Sequence, residues 1–84
     1  MLGTRSVSER LEQLLVILAS TRGHHEDDAI LIDRSITYEQ VASIVGASRQ
    51  WVTQSLDKLE KEDVLKISRH QIAIFDIARL SEGQ

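Results

Sequence analysis

Residues 36–61, ITYEQVASIVGASRQWVTQSLDKLEK, decide how this chain folds. Thr37 can cap a first helix, and Gln40 three residues later completes a capping box. Gly46 provides the left-handed residue at which such a helix ends. Ser48 follows two positions later and is a good cap for a second helix. The stretch therefore predicts two helices joined by a tight turn.

Apolar residues recur on one face of each predicted helix. In the first helix that face consists of Val41, Ala42, Ile44 and Val45, and in the second of Val52, Leu56 and Leu59. The other side of the second helix is polar, with Arg49, Gln50, Thr53, Gln54 and Lys58. This is the pattern of a helix-turn-helix, in which the second helix enters a DNA major groove. The spacing alone also fits any pair of antiparallel helices.

Length and composition limit the possible classes of protein. At 84 residues the chain forms one domain, which buries about 60% of its unfolded surface. With 42% hydrophobic and 27% charged residues it is globular, and the lack of cysteine excludes disulfides. The longest apolar run, residues 14–19, is far too short to span a membrane. No secretion signal is visible, so we expect a cytoplasmic protein with no membrane partner.

The distribution of charge is more informative than its sum. The net charge of −3 counts against strong binding of nucleic acid. Residues 1–46 carry four basic and seven acidic side chains, whereas residues 47–71 carry five basic and four acidic ones. No nucleophile elbow, P-loop or H-E-x-x-H motif is present. We therefore predict no enzyme, no catalytic residue and no cofactor.

The segment before the helix pair predicts one helix and one strand. Ser6 and Glu9 form a capping box for a helix to about Thr21, which Gly23 can terminate. Its buried face comprises Leu11, Leu14, Leu15 and Leu18. Residues 24–28, HHEDD, contain ligand types for a metal ion, but adjacent side chains diverge, so we predict a solvated loop without metal. Residues 29–33 predict one short strand.

The segment after the helix pair predicts a β-hairpin. Residues 65–68 and 71–76 read as its strands, with Arg69 and His70 at the tip. A two-residue hairpin turn usually contains Gly or Asn, so we expect this tip to be strained or wider than two residues. Asp76 can cap a last short helix over residues 77–81.

These residues together resemble the DNA-binding domain of the Crp/Fnr family of bacterial transcription regulators. The matching positions are Ile36, Thr37, Val41, Ala42, Val45, Gly46, Ser48, Arg49, Val52, Leu56 and Leu59. The similarity extends to RSVSERLEQLLVILA upstream and DVLKISRHQIAIFDIARL downstream, and so covers most of the chain. It implies a mainly α fold with a small β-sheet: a winged helix-turn-helix with a three-helix core and a β-hairpin wing.

The resemblance also implies a domain organisation and partners. It predicts one domain over residues 1–84, with the helix-turn-helix at 37–61 and the wing at about 64–76. In the family this domain follows a sensor and dimerisation domain, so the chain is expected to be detached from one. The implied partner is double-stranded DNA, as a palindromic operator for the full-length dimer, with RNA polymerase as a further partner.

The implied site lies on the second helix and around it. The predicted base-reading residues are Arg49, Gln50, Thr53 and Gln54. The predicted phosphate-contacting residues are Thr37, Tyr38, Ser48, Trp51, Lys58, Lys66 and Arg69. Arginine is the commonest reader of guanine, and helix starts such as those at Thr37 and Ser48 bind phosphate. For Lys66, Arg69 and His70 an exposed hairpin without a ligand explains the charges equally well.

Four positions depart from the family pattern: Gln50, Gln54, Trp51 and Ser55. Where Ser55 stands, the family often has an apolar residue. Where Gln50 and Gln54 stand, the family often has Glu and Arg, and glutamine prefers adenine. The family's usual half-site therefore cannot simply be transferred to this chain. Trp51 stands where the family has a smaller residue, and it either covers the gap left by Ser55 or presents an exposed ring to DNA or a partner. A winged helix used for protein–protein contact or dimerisation remains the alternative, which the acidic balance favours.

Overall fold

The computed structural model describes residues 6–33 and 36–82. The elements in chain order are α1 Val7–Arg22, β1 His24–Glu26, β2 Ala29–Asp33, α2 Tyr38–Val45, α3 Arg49–Lys61, β3 Leu65–Ile67, β4 Gln71–Ile74 and α4 Ile77–Glu82. The strands form an antiparallel sheet in the order β1-β2-β4-β3. None of the described helices is long and apolar enough to cross a membrane. The predicted fold class, mainly α with a small sheet, is confirmed.

The helix-turn-helix forms at the predicted residues because its ends are satisfied locally. Thr37 Oγ1 accepts a hydrogen bond from the Gln40 amide at 3.1 Å, and Gln40 Oε1 accepts from the Thr37 amide at 2.7 Å. Gly46 has a φ of 82°, and its amide donates to the Ala42 carbonyl at 2.9 Å. Ser48 Oγ accepts from the Trp51 amide at 3.0 Å. The predicted caps of α2 and α3 are thereby confirmed.

The core lies between α1, the helix pair, the sheet and α4. Its buried side chains from the helix pair are Val41, Ala42, Val45, Val52, Leu56 and Leu59. Ile44 was predicted to join them, and that prediction is wrong, since Ile44 is 58% exposed. Its position lies about 100° around the helix axis from the centre of the buried stripe, on a side that faces an open hollow beside α1. Leu80 of α4 is fully buried and closes the core.

The first helix is built and ended as predicted, except for the conformation of Gly23. Ser6 and Glu9 form the capping box, and Leu11 and Leu15 are buried while Leu14 and Leu18 are half-buried. Gly23 has an extended backbone, with φ of −81°. A Cβ atom there would lie 2.3 Å from the Ala19 carbonyl oxygen and 2.5 Å from Ile30 Cγ2. Glycine is therefore required for a close approach to α1 and β2.

The prediction of a loop at residues 24–28 is wrong. His24–Glu26 form the edge strand β1, with His24 opposite Leu31 and Glu26 opposite Ala29. Asp27 and Asp28 make the turn, and Asp27 has φ of 55°, a conformation that aspartate tolerates better than most residues. All residues of β1 are exposed, so an edge strand of this kind carries no apolar pattern by which it could be predicted. The predicted strand β2 is confirmed at Ala29–Asp33.

The β3–β4 hairpin is confirmed, with strands that end earlier than predicted. Ile67 pairs with Ile72, and Ser68 donates to the Gln71 carbonyl through both its amide, at 2.9 Å, and its hydroxyl, at 2.8 Å. The strands leave Ser68, Arg69 and His70 between them, so the connection is wider than two residues, which was one of the two expectations, and none of the three has a positive φ. After the hairpin, Asp76 Oδ1 accepts from the Arg79 amide at 3.1 Å and caps α4, as predicted.

Candidate nucleic-acid interface

The outer face of α3 presents the predicted base-reading residues. Arg49, Gln50 and Gln54 are exposed and Thr53 is half-buried. Gln50 and Gln54 are four residues apart, as are Arg49 and Thr53, so each pair lies one helical turn apart on the same side. The Thr53 hydroxyl donates to the Arg49 carbonyl at 3.1 Å. Because that hydroxyl is engaged by the helix backbone, the methyl group of Thr53 is left for an apolar contact.

A groove of about 480 Å³ joins the starts of α2 and α3 to the tip of the hairpin. It is lined by Ile36, Thr37, Tyr38, Glu39, Arg49 and Arg69. Three of the predicted phosphate contacts and one predicted base reader thus meet at one surface, although they are up to 32 residues apart in sequence (69 − 37). The amide-rich first turns of both helices add partial positive charge, which favours an anion.

A side-chain hydrogen bond joins the hairpin to α3. Glu60 Oε2 on α3 accepts from the Ile67 amide at the end of β3, at 3.1 Å. Leu65 of β3 and Ile74 of β4 are also buried in the core. The tip that carries Arg69 is therefore held against α3, on the side of the groove that also contains Arg49.

Sequence reasoning missed Glu39, which lies in this groove. Its Oε1 atom is 3.8 Å from Nη1 of Arg49, and both side chains are largely exposed. An acidic residue in the first turn of a helix has an ordinary local explanation, since it complements the helix dipole. Only the approach of α2 to the start of α3 shows that Glu39 also faces a predicted DNA contact.

The remaining predicted phosphate contacts lie outside the groove. Ser48 is exposed at the start of α3, and Lys66 is exposed on β3, opposite Ala73. Trp51 and Lys58 line a separate cleft with α1 and α4. Trp51 is half-buried, packs against the core and shares that cleft with Ser55. This placement supports the interpretation that the indole covers the space beside Ser55.

His24 and His25 do not form a metal site with their neighbours. His24 and His25 are adjacent on β1, and successive side chains of a strand point to opposite faces. Within residues 6–33 and 36–82 no three His, Asp or Glu side chains come close enough together to hold a metal ion.

Comparison with known proteins agrees with this geometry. Residues 9–82 match the sequence model of the Crp-like helix-turn-helix domain. The HTH-type transcriptional regulator ycf28 of Porphyra purpurea is 31% identical over 78 residues, which cover 93% of this chain and 33% of that protein. The global nitrogen regulator of Synechococcus elongatus is 30% identical over 81 residues, covering 96% and 36%. The chain thus spans about a third of the length of these relatives.

A solved structure shows the same fold. Reduced CprK without ligand superposes with a TM-score of 0.87 at 22% identity, covering 99% of this chain and 40% of that one. The relatives reported above are named as regulators. The predicted resemblance to Crp/Fnr regulators is confirmed, and the chain belongs to the Crp-like helix-turn-helix domain family.

Proposed function

We propose that this domain binds double-stranded DNA in a sequence-specific manner, with α3 in the major groove. The observation that carries this proposal is the groove in which Arg49 of α3 and Arg69 of the hairpin meet the capped start of α2. A helix that lies in a major groove has a phosphate backbone beside it, and arginines and helix amides are the groups that bind phosphate. Arg49 lies at the boundary between the reading face of α3 and this groove.

Base reading is assigned to Arg49, Gln50, Thr53 and Gln54. Arginine pairs with guanine O6 and N7, glutamine pairs with adenine N6 and N7, and a threonine methyl contacts the methyl group of thymine. Two of the four side chains are uncharged amides, so we expect a site richer in A·T pairs than an arginine-rich reader would select. Phosphate contacts are assigned to Thr37, Tyr38, Ser48, Trp51, Lys58, Lys66 and Arg69.

The wider role of the chain follows from its relatives. Because they are about three times as long, we propose that residues 1–84 form the DNA-binding domain of a regulator that also has a sensor and dimerisation domain. Such a dimer would bind a palindromic operator, since operator symmetry mirrors protein symmetry. RNA polymerase is a further proposed partner, the proposed compartment is the cytoplasm, and no enzymatic activity is proposed.

Selection from a random duplex library tests the proposal directly. The domain would be fused to a parallel leucine zipper ahead of Ser6, and bound duplexes would be sequenced after successive rounds. We expect selection with the unchanged fusion to yield an inverted repeat. Selection with a fusion that carries Arg49→Ala should not recover its half-sites. A matched control is Lys61→Ala, a change on the same helix outside the assigned contacts, which should retain the motif. Failure to enrich any sequence, with a folded domain, would favour the protein-interaction alternative.

A further inference from the structure

A second cleft opens between α1, α3 and α4. Helix α1 packs against α4 and α2, α3 packs against α2 and β3, and the cleft lies where α1, α3 and α4 face one another. The space between them is about 260 Å³, and the buried side chains of Leu11 and Leu59 line its apolar part. Drug-sized ligands occupy roughly 300–1,000 Å³, so this cleft suits a smaller molecule.

The walls of the cleft are polar and aromatic. Helix α3 and its C-cap residue contribute a stripe of residues spaced by four, three and four positions: Trp51, Ser55 and Lys58 of the helix, and Glu62 as the cap. Helix α1 contributes Ser8 and Glu12, which are four positions apart and so lie on one face. Two helices thus present hydroxyl, cationic and anionic groups to one another, with an indole ring beside them.

The charges in the cleft balance and are spatially ordered. Arg79 of α4 holds Glu62 through an Nη2–Oε1 contact of 2.7 Å. The hydrogen bond and the charge of Glu62 raise the pKa of Arg79, and the charges of Glu12 and Asp76 add to the effect. Lys58 has no ion pair with any residue of the described ranges. The cleft therefore offers one cation without a partner and one carboxylate beyond the Arg79–Glu62 pair.

The placement of charges in the cleft favours one class of ligand. A simple anion would meet Glu12 and Glu62 as well as the two cations, and a simple cation would meet Lys58 and Arg79. A zwitterion satisfies both signs at once, and an aromatic group attached to it can stack on the indole. We propose that the cleft binds a free aromatic α-amino acid, with its carboxylate at Lys58, its ammonium group at Glu12 and its ring against Trp51.

The ligand proposal does not rest on the proposed DNA function, although the two sites share residues. Trp51 and Lys58 are also assigned to phosphate, so an occupied cleft would withdraw two contacts from DNA. Ligand binding is therefore measured without DNA, and its failure would leave the DNA proposal unaffected.

Trp51 is the sole tryptophan and provides the signal. The domain would be titrated with L-phenylalanine while the indole is excited at a wavelength that phenylalanine does not absorb. Two matched probes each lack one charge, namely 3-phenylpropionate and phenethylamine. We expect a saturable change with L-phenylalanine and at least about tenfold weaker binding of both probes, because each loses one charge-assisted contact. Absence of a saturable change, or equal affinity for all three compounds, would overturn the proposal.

Two variants assign the contacts, with circular dichroism to establish that each is folded. Lys58→Met should weaken L-phenylalanine about tenfold and should not weaken phenethylamine, since that probe has no carboxylate. Glu12→Gln should weaken L-phenylalanine and should not weaken 3-phenylpropionate, which has no ammonium group. Lys61→Met removes a lysine of the same helix outside the cleft and should change nothing. An equal loss in Lys58→Met and Lys61→Met would show that net charge, not the cleft, controls binding.

Discussion

Oε1 of Glu39 lies 3.8 Å from Nη1 of Arg49, and thus links the start of α2 to the first residue of α3. The two side chains are 76% and 68% exposed, so water screens the pair and it contributes little to stability. The Glu39–Arg49 pair instead bears on the proposed binding of DNA. Arg49 is the arginine assigned to a base edge, and Glu39 places a negative charge where phosphates would approach.

Glu39→Gln should therefore strengthen DNA binding. The change frees Arg49 and removes a repulsive charge, which we expect to lower Kd about two- to fivefold, the range of a surface charge pair. Fluorescence anisotropy with a labelled duplex at fixed salt measures this. Glu26→Gln, on the distant β1 edge strand, is the control of equal charge change. Weaker binding by Glu39→Gln would show instead that Glu39 positions Arg49 productively.

Arg49→Ala should reduce affinity for the selected site far more than for random DNA. If Arg49 reads a base edge, its loss costs about 1–3 kcal/mol on the preferred duplex and little elsewhere. Parallel titrations on the selected and a scrambled duplex give the two losses. Equal losses on both duplexes would assign Arg49 to phosphate.

The double change Gln50→Glu with Gln54→Arg should alter the preferred half-site. Both positions then carry the residues frequent in the family, which read cytosine and guanine, so G·C pairs should enter the selected motif. Library selection before and after the change is the measurement. Recovery of an unchanged motif would mean that these side chains do not contact bases.

Joining two copies should increase affinity for a palindrome. A single winged helix with three or four phosphate partners should bind at about 10–100 μM near physiological salt, with a log–log salt slope of roughly −3. A zipper fused ahead of Ser6 makes the second contact intramolecular at an effective concentration on the order of millimolar, which gives roughly a hundredfold gain. The gain should vanish on a single half-site. Tight binding by the unfused domain would reveal a dimer interface of its own.

Gly23→Ala should destabilise the fold. The added Cβ would collide with the Ala19 carbonyl oxygen, which is backbone, and with the side chain of Ile30. We expect a loss of about 1–3 kcal/mol in the free energy of unfolding, measured by urea denaturation. Ser20→Ala, at an exposed position of α1, should change the free energy of unfolding by no more than about 0.5 kcal/mol. A neutral Gly23→Ala would show that α1 and β2 can move apart.

Local hydrogen bonds explain why so much of the fold could be predicted from sequence. The caps at Ser6, Thr37 and Ser48 each join groups three residues apart, so their pattern is visible in the chain itself. The left-handed conformation of Gly46, which ends α2, and the start of α3 after Ser48 follow from the same short-range chemistry. The family resemblance then supplied the list of predicted contacts, which depends on residue identity at each position.

Tertiary packing decided the features that depend on the approach of distant elements. The exposed strand β1 exists because β2 offers it an edge, and Ile44 is exposed because it lies away from the buried stripe of α2. The pairing of Glu39 with Arg49 and the cleft beside Trp51 require the relative placement of helices, which short-range patterns do not encode. Sequence by itself thus determined the helices, three of the four strands and the polar face of α3. Only the packing of those elements determined which charges lie beside that face, because Coulomb interactions depend on distance in space rather than along the chain.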